Sequence, residues 1–344
     1  ILDIDIEVKE KPTGVIWGGL GFSSVENFIV DLAIREENLF GRGWIASLRG
    51  RASTIRTDLT ARFTDPNFRD LDFSLGGDLF FRTEEFDDFD SRREGGLLRV
   101  GRALTPFVTA GVEYKLVRTQ IEDIAEDASE RIREADPDVL TSAVTPFIRR
   151  DSRDSRILPT RGAFSRGFIT FAGGPLGADQ DTYLLLAEHR QYFPIGEIFQ
   201  LPVLSRLVWS YRARARYTDA YRGLLPVFER LFLGGATTVR GFGFREVGPK
   251  DPQGNAIGGH SSGLISTSLR HPLVEPAHLV LFFDAGNVWQ RGNAFDVSDL
   301  RTSAGFGLRI FTPIGPIRVD VGYKLDRKGD EDEREIHFGV GTTF

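Results

Sequence analysis

Short runs of alternating apolar and polar residues recur along this chain, and they constrain its fold more than any other feature of the sequence. At 317–325, Ile, Val, Val, Tyr and Leu alternate with Arg, Asp, Gly and Lys. A period of two places the apolar side chains on one face of a β-strand and the polar side chains on the other. The same pattern returns at 71–82 and 108–116. The sequence therefore predicts an all-β protein.

Marking every such run predicts about sixteen strands of roughly ten residues or more. An even number of such strands is typical of a transmembrane antiparallel β-barrel of the bacterial outer membrane. The longest apolar run, at 279–283, is far shorter than the roughly 18 residues of a membrane-spanning helix. The predicted strands begin near Val15, Phe28, Trp44, Thr57, Leu71, Gly95, Phe107, Thr141, Gly162, Thr182, Leu204, Gly263, His278, Thr302, Pro316 and Ile336.

The polar faces of these strands favour a water-filled interior. A soluble β-sandwich would turn its apolar faces inward, and periodicity alone leaves that alternative open. A barrel of about sixteen strands, however, is wide enough to hold water. Its inner wall can therefore carry Arg212, Arg214 and Arg216, while Trp209 and Tyr211 face lipid.

The predicted connections differ in length between the two ends of the barrel. Those after even-numbered strands are mostly short, whereas those after odd-numbered strands include the long segments 122–138, 217–262 and 326–335. Short periplasmic turns and long outer loops are typical of outer-membrane barrels. We interpret residues 1–12 as the end of a preceding periplasmic repeat domain and 13–344 as the barrel domain.

Composition and motifs argue against catalysis. The sequence contains no cysteine, which excludes disulfides, thiolate metal sites and cysteine nucleophiles. Its five histidines show no metal-ligand spacing. The sequence contains no nucleophile elbow and no phosphate-binding loop. The net charge is -6, and the acidic and basic residues are interspersed without a basic stripe. This distribution gives no support to nucleic-acid binding. We expect a protein that is not an enzyme and has no metal, no cofactor and no nucleic-acid partner.

The longest connection contains a glycine-flanked turn, Val239-Arg240-Gly241-Phe242, which follows Leu-Gly-Gly at 233–235. With Gly-Pro at 248–249 and Gly-Gly at 258–259, this stretch resembles the signature loop of the BamA family of outer-membrane barrel assembly proteins. That superfamily also includes TamA and two-partner secretion transporters. Further matches follow in the family's order at 38–43, 172–177 and 307–316, so the resemblance covers nearly the whole chain.

The resemblance implies that the long extracellular loop folds inward, where Arg240 meets an acidic group on the inner wall. Asp284 lies in a Phe-x-Asp-x-Gly strand at 282–286, similar to the family strand whose aspartate holds the loop arginine. The family often has a second acid one strand earlier, four residues before a proline, but Ser268 stands there in this chain. Asp284 is therefore the one matched counter-charge. The alternative for Asp284 is a strand-end turn beside Gly286.

Glycines are concentrated in the first and last predicted strands, which must pair to close the barrel. Gly18, Gly19 and Gly21 lie in the first strand, and Gly339 and Gly341 lie in the last. Glycine weakens strand pairing, so we expect this lateral seam to open more easily than the other junctions. Ordinary glycine use at barrel bends is the alternative. In the BamA family the junction is the lateral gate.

The C-terminus alternates apolar and small residues and includes Phe338 and the final Phe344. A terminal phenylalanine resembles the targeting signal of outer-membrane barrels, which the assembly machinery reads as an added edge strand. An aromatic anchor at the membrane interface is the alternative, and both roles are compatible.

The resemblance implies an outer-membrane insertase that folds and inserts β-barrel proteins through its lateral seam. Its expected partners are nascent outer-membrane proteins, assembly-complex lipoproteins and outer-membrane lipid. A TamA-like factor or a two-partner secretion pore is the first alternative, because both share the Val-Arg-Gly-Phe loop. A passive porin is the second, and its seam would be as tight as its other junctions.

Overall fold

Sixteen antiparallel strands form one closed barrel, in which each strand pairs with its sequence neighbours and the first pairs with the last. This arrangement, seen in a computed structural model, confirms the predicted fold class and strand number. The structure describes residues 11–341 except 87, 127, 129, 201, 293–294, 313–314 and 330. The strands are β1 Gly14–Ser23, β2 Asn27–Leu39, β3 Trp44–Ser53, β4 Arg56–Asp65, β5 Ser74–Glu85, β6 Asp90–Thr105, β7 Val108–Glu122, β8 Asp138–Asp151, β9 Gly162–Ala172, β10 Thr182–Phe193, β11 Val208–Ala220, β12 Ser261–Val274, β13 Ala277–Trp289, β14 Arg301–Thr312, β15 Gly315–Lys324 and β16 Arg334–Val340.

The helical segments lie in the connections and are short. None of those that the described ranges contain has the length and apolar character to cross a membrane. They comprise the α-helices α1 Glu130–Arg133 and α2 Ile195–Ile198 and the 3-10 turns Phe68–Asp70, Gly174–Leu176, Val227–Glu229 and Val297–Asp299.

Side chains alternate between the outer and inner faces of the wall as the sequence predicts. In β13, Leu281 and Phe283 are exposed, whereas Phe282 and Asp284 between them are buried. Successive side chains of a strand point to opposite faces, so the exposed apolar set faces outward and Asp284 faces inward. An apolar outer band is what a lipid bilayer requires of a barrel.

Ion pairs across neighbouring strands neutralise much of the inner wall. Asp31 of β2 accepts hydrogen bonds from Arg49 of β3, with Nε to Oδ1 at 2.9 Å. Arg62 of β4 donates to Asp78 of β5 through Nε at 3.0 Å and Nη2 at 2.8 Å. Bidentate guanidinium–carboxylate pairs are strong and directional. They allow charged side chains to lie in the interior without leaving their hydrogen-bonding groups unpaired.

The long connections lie where the sequence predicts them, at 123–137, 221–260 and 325–333. One periplasmic connection is longer than predicted, because β11 begins at Val208 and not near Leu204. Pro194 follows β10 directly, and helix α2 occupies the start of this connection. The preceding repeat domain proposed for residues 1–12 lies almost wholly outside the described residues.

Arginine substitutions at two outward leucines of β6 test the membrane position of the wall. Leu98, in the middle of the strand, and Leu104, near its end, are 60% and 56% exposed. We expect Leu98→Arg to cost about 2–4 kcal/mol of folding free energy and Leu104→Arg about 0–1 kcal/mol, because the penalty for a cation is largest at the bilayer midplane. Denaturant unfolding in lipid vesicles measures both, and equal costs would contradict this position.

Candidate functional site

The connection between β11 and β12, residues 221–260, carries its own apolar cluster. Val239 and Phe242 of the predicted motif are fully buried. They pack with other connection residues against side chains of β12 and β13, and we call this group the connection cluster. Its members are Leu231, Leu233, Val239, Phe242, Val247, Leu264 and Val288. The motif thus lies against the barrel wall and not at a solvated loop tip.

The structure brings Arg240 and Asp284 into direct contact. Arg240 Nε donates to Asp284 Oδ2 and Nη2 donates to Oδ1, both at 2.7 Å, and the Arg240 backbone nitrogen donates to Oδ2 at 3.0 Å. The guanidinium also lies 3.6 Å from the centre of the Phe282 ring. Arg240 is 7% exposed and Asp284 is 0% exposed. Both charges are therefore desolvated, so each depends on the other for compensation.

A serine that the sequence analysis did not single out completes this contact. Ser266 lies directly opposite Asp284 in the β12–β13 register. Its hydroxyl donates to Asp284 Oδ1 at 2.5 Å and accepts from Arg240 Nη2 at 3.1 Å. Ser268, where the family often has an acid, instead lies with its Oγ 2.9 Å from Oγ of Ser210. Only the strand register identifies Ser266 as the supporting residue.

Two glycines let the turn approach the wall closely. Gly241 has φ +95°, a conformation that side-chain-bearing residues rarely adopt. A Cβ on Gly322 of β15 would lie 2.4 Å from the Gly241 nitrogen, and a Cβ on Gly241 would lie 3.1 Å from Ser303 Cβ. The Gly241 nitrogen donates to Nε2 of His337 in β16 at 3.4 Å. Sequence reasoning missed Gly322 and His337, since their proximity to the turn depends on barrel curvature.

Phe242 and the residues after the motif are held by charged side chains of the last strands. The Phe242 ring centre lies 4.6 Å from the Arg301 guanidinium and 5.0 Å from Lys324 Nζ. Lys324 also pairs with Glu246 at 2.7 Å, and Glu246 accepts a hydrogen bond from the Gly243 nitrogen at 2.5 Å. Cation–π contacts of this kind gain strength when they are desolvated.

Backbone carbonyls just before the motif are also anchored. Arg318 of β15 donates to the carbonyl of Ala236. Arg212 of β11 donates to the carbonyl of Thr237 at 3.0 Å. Together with the contacts above, every strand from β11 to β16 supplies at least one side chain that holds the connection.

Within the described residues, the junction between the first and last strands is short. β1 pairs with β2 along its whole length, from Gly14 to Ser23. Across the seam, β1 pairs with the described part of β16 at two positions, where Phe22 faces Val340 and Ser23 faces Gly339. Strand pairing supplies the backbone hydrogen bonds that a membrane-spanning wall requires. The described seam therefore holds less of this pairing than the neighbouring junction.

The predicted seam glycines lie at different distances from the described part of the seam. Gly341 has φ +91°, and the described part of β16 ends at Val340. Gly21 remains at the seam, since a Cβ there would lie 2.7 Å from the Val340 oxygen. Gly18 and Gly19 lie further along β1, where the described pairing is with β2. Their part in the seam stays a prediction, because residues 342–344 lie outside the described residues.

Phe338 lies at the same junction. Its ring centre is 5.8 Å from that of Phe22, and its carbonyl accepts a hydrogen bond from the Ser24 nitrogen at 3.0 Å. The ring is partly exposed, which suits an aromatic residue on the outer face. Phe344, the predicted targeting residue, lies outside the described residues.

Within the described part of the chain, no group of His, Asp and Glu side chains is arranged to hold a metal ion.

Comparison with known proteins agrees with this architecture. The model of the Omp85 superfamily domain matches residues 38–344. The chain belongs to the Omp85 superfamily. The match spans the anchored connection and the seam-forming β16, and it confirms the resemblance noted from the motifs.

Several members of the superfamily are similar over the full chain. The outer membrane protein assembly factor BamA of Nitratidesulfovibrio vulgaris is 32% identical, with 100% of this chain and 43% of that protein covered. BamA of Neisseria meningitidis is 24% identical, with 100% and 48% covered. The chain thus spans less than half the length of these BamA relatives. A SAM50-like protein of Schizosaccharomyces pombe is 24% identical, with 100% and 74% covered.

Solved structures show the same barrel fold. BamA from Haemophilus ducreyi superposes with a TM-score of 0.83 at 20% identity, with 96% of this chain and 70% of that chain covered. CdiB from Acinetobacter baumannii superposes with a TM-score of 0.59 at 13% identity, with 94% and 59% covered. With its apolar outer face and its superfamily membership, the chain is an integral β-barrel of the bacterial outer membrane.

Asp284→Asn tests the anchor of the motif. It leaves Arg240 buried without its counter-charge, which costs about 3–5 kcal/mol for a buried pair. We expect faster trypsin cleavage within residues 221–260 while the barrel stays folded, as judged by heat-modifiable electrophoretic mobility. Adding Arg240→Gln should recover part of the protection, because both charges are then removed. Cleavage at the unsubstituted rate in Asp284→Asn would contradict an energetically important anchor.

Gly322→Ala tests the close approach of the turn independently of charge. The added Cβ would lie 2.4 Å from the Gly241 nitrogen, so the turn must move. We expect increased proteolysis of the same connection. Gly19→Ala is the matched control, since a Cβ at Gly19 has nothing within 4 Å. Equal protection of both variants would show that the turn does not pack against β15 in the membrane.

Proposed function

We propose that this chain is the membrane barrel of an outer-membrane assembly factor, which folds and inserts other β-barrel proteins through the seam between β1 and β16. The observation that carries the proposal is the short seam, where Phe22 and Ser23 of β1 face Val340 and Gly339 of β16. The BamA relatives are named as outer membrane protein assembly factors, which supports the same role.

The mechanism is physical and consumes no cofactor. A strand with unpaired amide groups cannot cross the hydrocarbon core, because each unsatisfied group costs several kcal/mol there. An opened seam exposes the edge of β1 as a template, to which an incoming strand adds by backbone pairing. A growing barrel therefore stays paired as it enters the membrane. On this proposal the chain performs no enzymatic reaction.

The anchored connection has a supporting part in this proposal. With the connection folded into the lumen and fastened to β11–β16, the C-terminal half of the barrel keeps its shape while the seam separates. The ion pair between Arg240 and Asp284 is the central contact between the connection and these strands. The proposed partners are nascent outer-membrane proteins, assembly lipoproteins and the surrounding outer-membrane lipid.

A second candidate is a protein-translocation pore. The Val-Arg-Gly-Phe loop at 239–242 favours it, because two-partner secretion transporters of the superfamily share that loop. An exporter would pass its substrate through the lumen and would not need the seam to open. A passive porin would likewise be unaffected by the state of the seam.

A cysteine pair across the seam separates these functions. Ser23 and Gly339 form a non-hydrogen-bonded pair of the antiparallel ladder. The adjacent hydrogen bond runs from the Ser24 nitrogen to the Phe338 carbonyl. Such pairs have Cα atoms about 4.5 Å apart, within reach of a disulfide. The chain has Cys 0, so Ser23→Cys/Gly339→Cys introduces the sole thiol pair. We expect oxidation to stop assembly of client barrels in the full-length protein, and reduction to restore it.

Leu20→Cys/Val30→Cys is the matched control, because these residues face each other across the fully paired β1–β2 junction. Its oxidation should leave assembly unchanged. Client assembly is measured by the appearance of heat-resistant folded barrels in vesicles. Full assembly with an oxidised seam would exclude the insertase mechanism and favour the pore.

A further inference from the structure

Among the described residues, two inward-facing arginines of β11 have no acidic side chain in direct contact. Arg212, Arg214 and Arg216 share one face of the strand, and Ala215 on the opposite face is exposed. Arg212 lies 2.8 Å from the carboxylate of Glu188. Across the described ranges, no hydrogen bond or ion pair joins Arg214 or Arg216 to another residue, and Arg216 Nε is buried without a partner.

The acid that contacts this face of β11 is already shared. Glu188 is fully buried and contacts Arg166, Arg190 and Arg212, each at 2.8 Å. Glu229 acts on Arg216 by longer-range attraction and makes no ion pair with it. We call the five arginines that surround Glu188 the β11 arginine patch. They are Arg166, Arg190, Arg212, Arg214 and Arg216.

Arg216 also lines a cavity of about 380 Å³ between the connection and the seam. Three more arginines and three aromatic rings contribute to the wall, and the cavity reaches the seam at Ser23 and Gly339. Glu26 is the acid that the described residues place in this wall, and it pairs with Arg51 at 2.7 Å. The additional arginines and aromatic residues are Arg230, Arg245, Arg318, Phe232, Phe244 and Phe338.

We propose that this cavity binds a carboxylate-bearing segment of polypeptide, with Arg216 as the anion-binding side chain and Arg214, two residues along the same face of β11, adding positive charge beside it. A cation withdrawn from water without a counter-charge is costly, so an anion gains binding energy here. The guanidinium fork matches a carboxylate in geometry. The aromatic rings favour a polypeptide over a free phosphate, because they offer a surface for neighbouring side chains. The inference rests on the proposed function, which brings polypeptide to the seam.

Direct binding to the full-length protein in nanodiscs tests the proposal. The probe is a fluorescent ten-residue peptide of alternating Val and Asp, compared by anisotropy with the same peptide carrying Asn for Asp. We expect the Asp peptide to bind at least tenfold more tightly. Arg214→Gln/Arg216→Gln should weaken the Asp peptide at least tenfold and leave the Asn peptide unchanged. Arg222→Gln, at a side chain that is 82% exposed, is the control and should change neither.

Equal affinity for the two peptides would overturn the proposal, as would unchanged binding of the Asp peptide to the folded double variant. Inorganic phosphate that binds the patch in place of the Asp peptide would also overturn it, because the site would then hold small anions. If the double variant does not fold, the comparison of the two peptides on the unsubstituted protein decides. The assay requires no client insertion, so its failure is distinct from failure of the seam mechanism.

Discussion

The need to pair every backbone amide and carbonyl within the membrane is the constraint on which the rest of this structure depends. Hydrocarbon offers no hydrogen bonds, so strands can cross it only when they close on themselves. Fifteen junctions between consecutive strands and the one between β1 and β16 meet this need. The seam meets it least completely within the described residues, since the ladder there is short. The proposed function follows from that weakness.

Closure of so many strands creates a second constraint, a lumen whose wall must be polar. The barrel fills it with charge in compensated groups, such as Asp31 with Arg49 and Asp78 with Arg62. Arg240 extends the same principle to the connection, because its guanidinium donates to both oxygens of the buried Asp284 carboxylate. The patch around Glu188 departs from this balance. A departure from charge balance in a desolvated wall is a reason to look for a ligand there.

The anchored connection and the seam are joined through the last strands. Arg318 holds the carbonyl before the motif, and His337 accepts the amide within it. His337 lies two residues before Gly339, which pairs with Ser23 across the seam. The movement of β16 that the proposed function requires would therefore reach the connection through adjacent residues of one strand. The first strand supplies no comparable contact to the motif in the described chain, so the two sides of the seam are not equivalent.

The sequence by itself determined the strands and their two faces. A period of two is a local property, so alternation was enough to predict the sixteen strands, the lipid-facing Trp209 and the inward Arg212. The motif and its resemblance also predicted that Arg240 meets Asp284. Tertiary structure alone decided which residues complete that contact. Ser266, Gly322 and His337 meet the turn because of strand register and barrel curvature, which no local pattern encodes. The register of the seam was decided the same way, since only the closed barrel sets Phe22 opposite Val340 and Ser23 opposite Gly339.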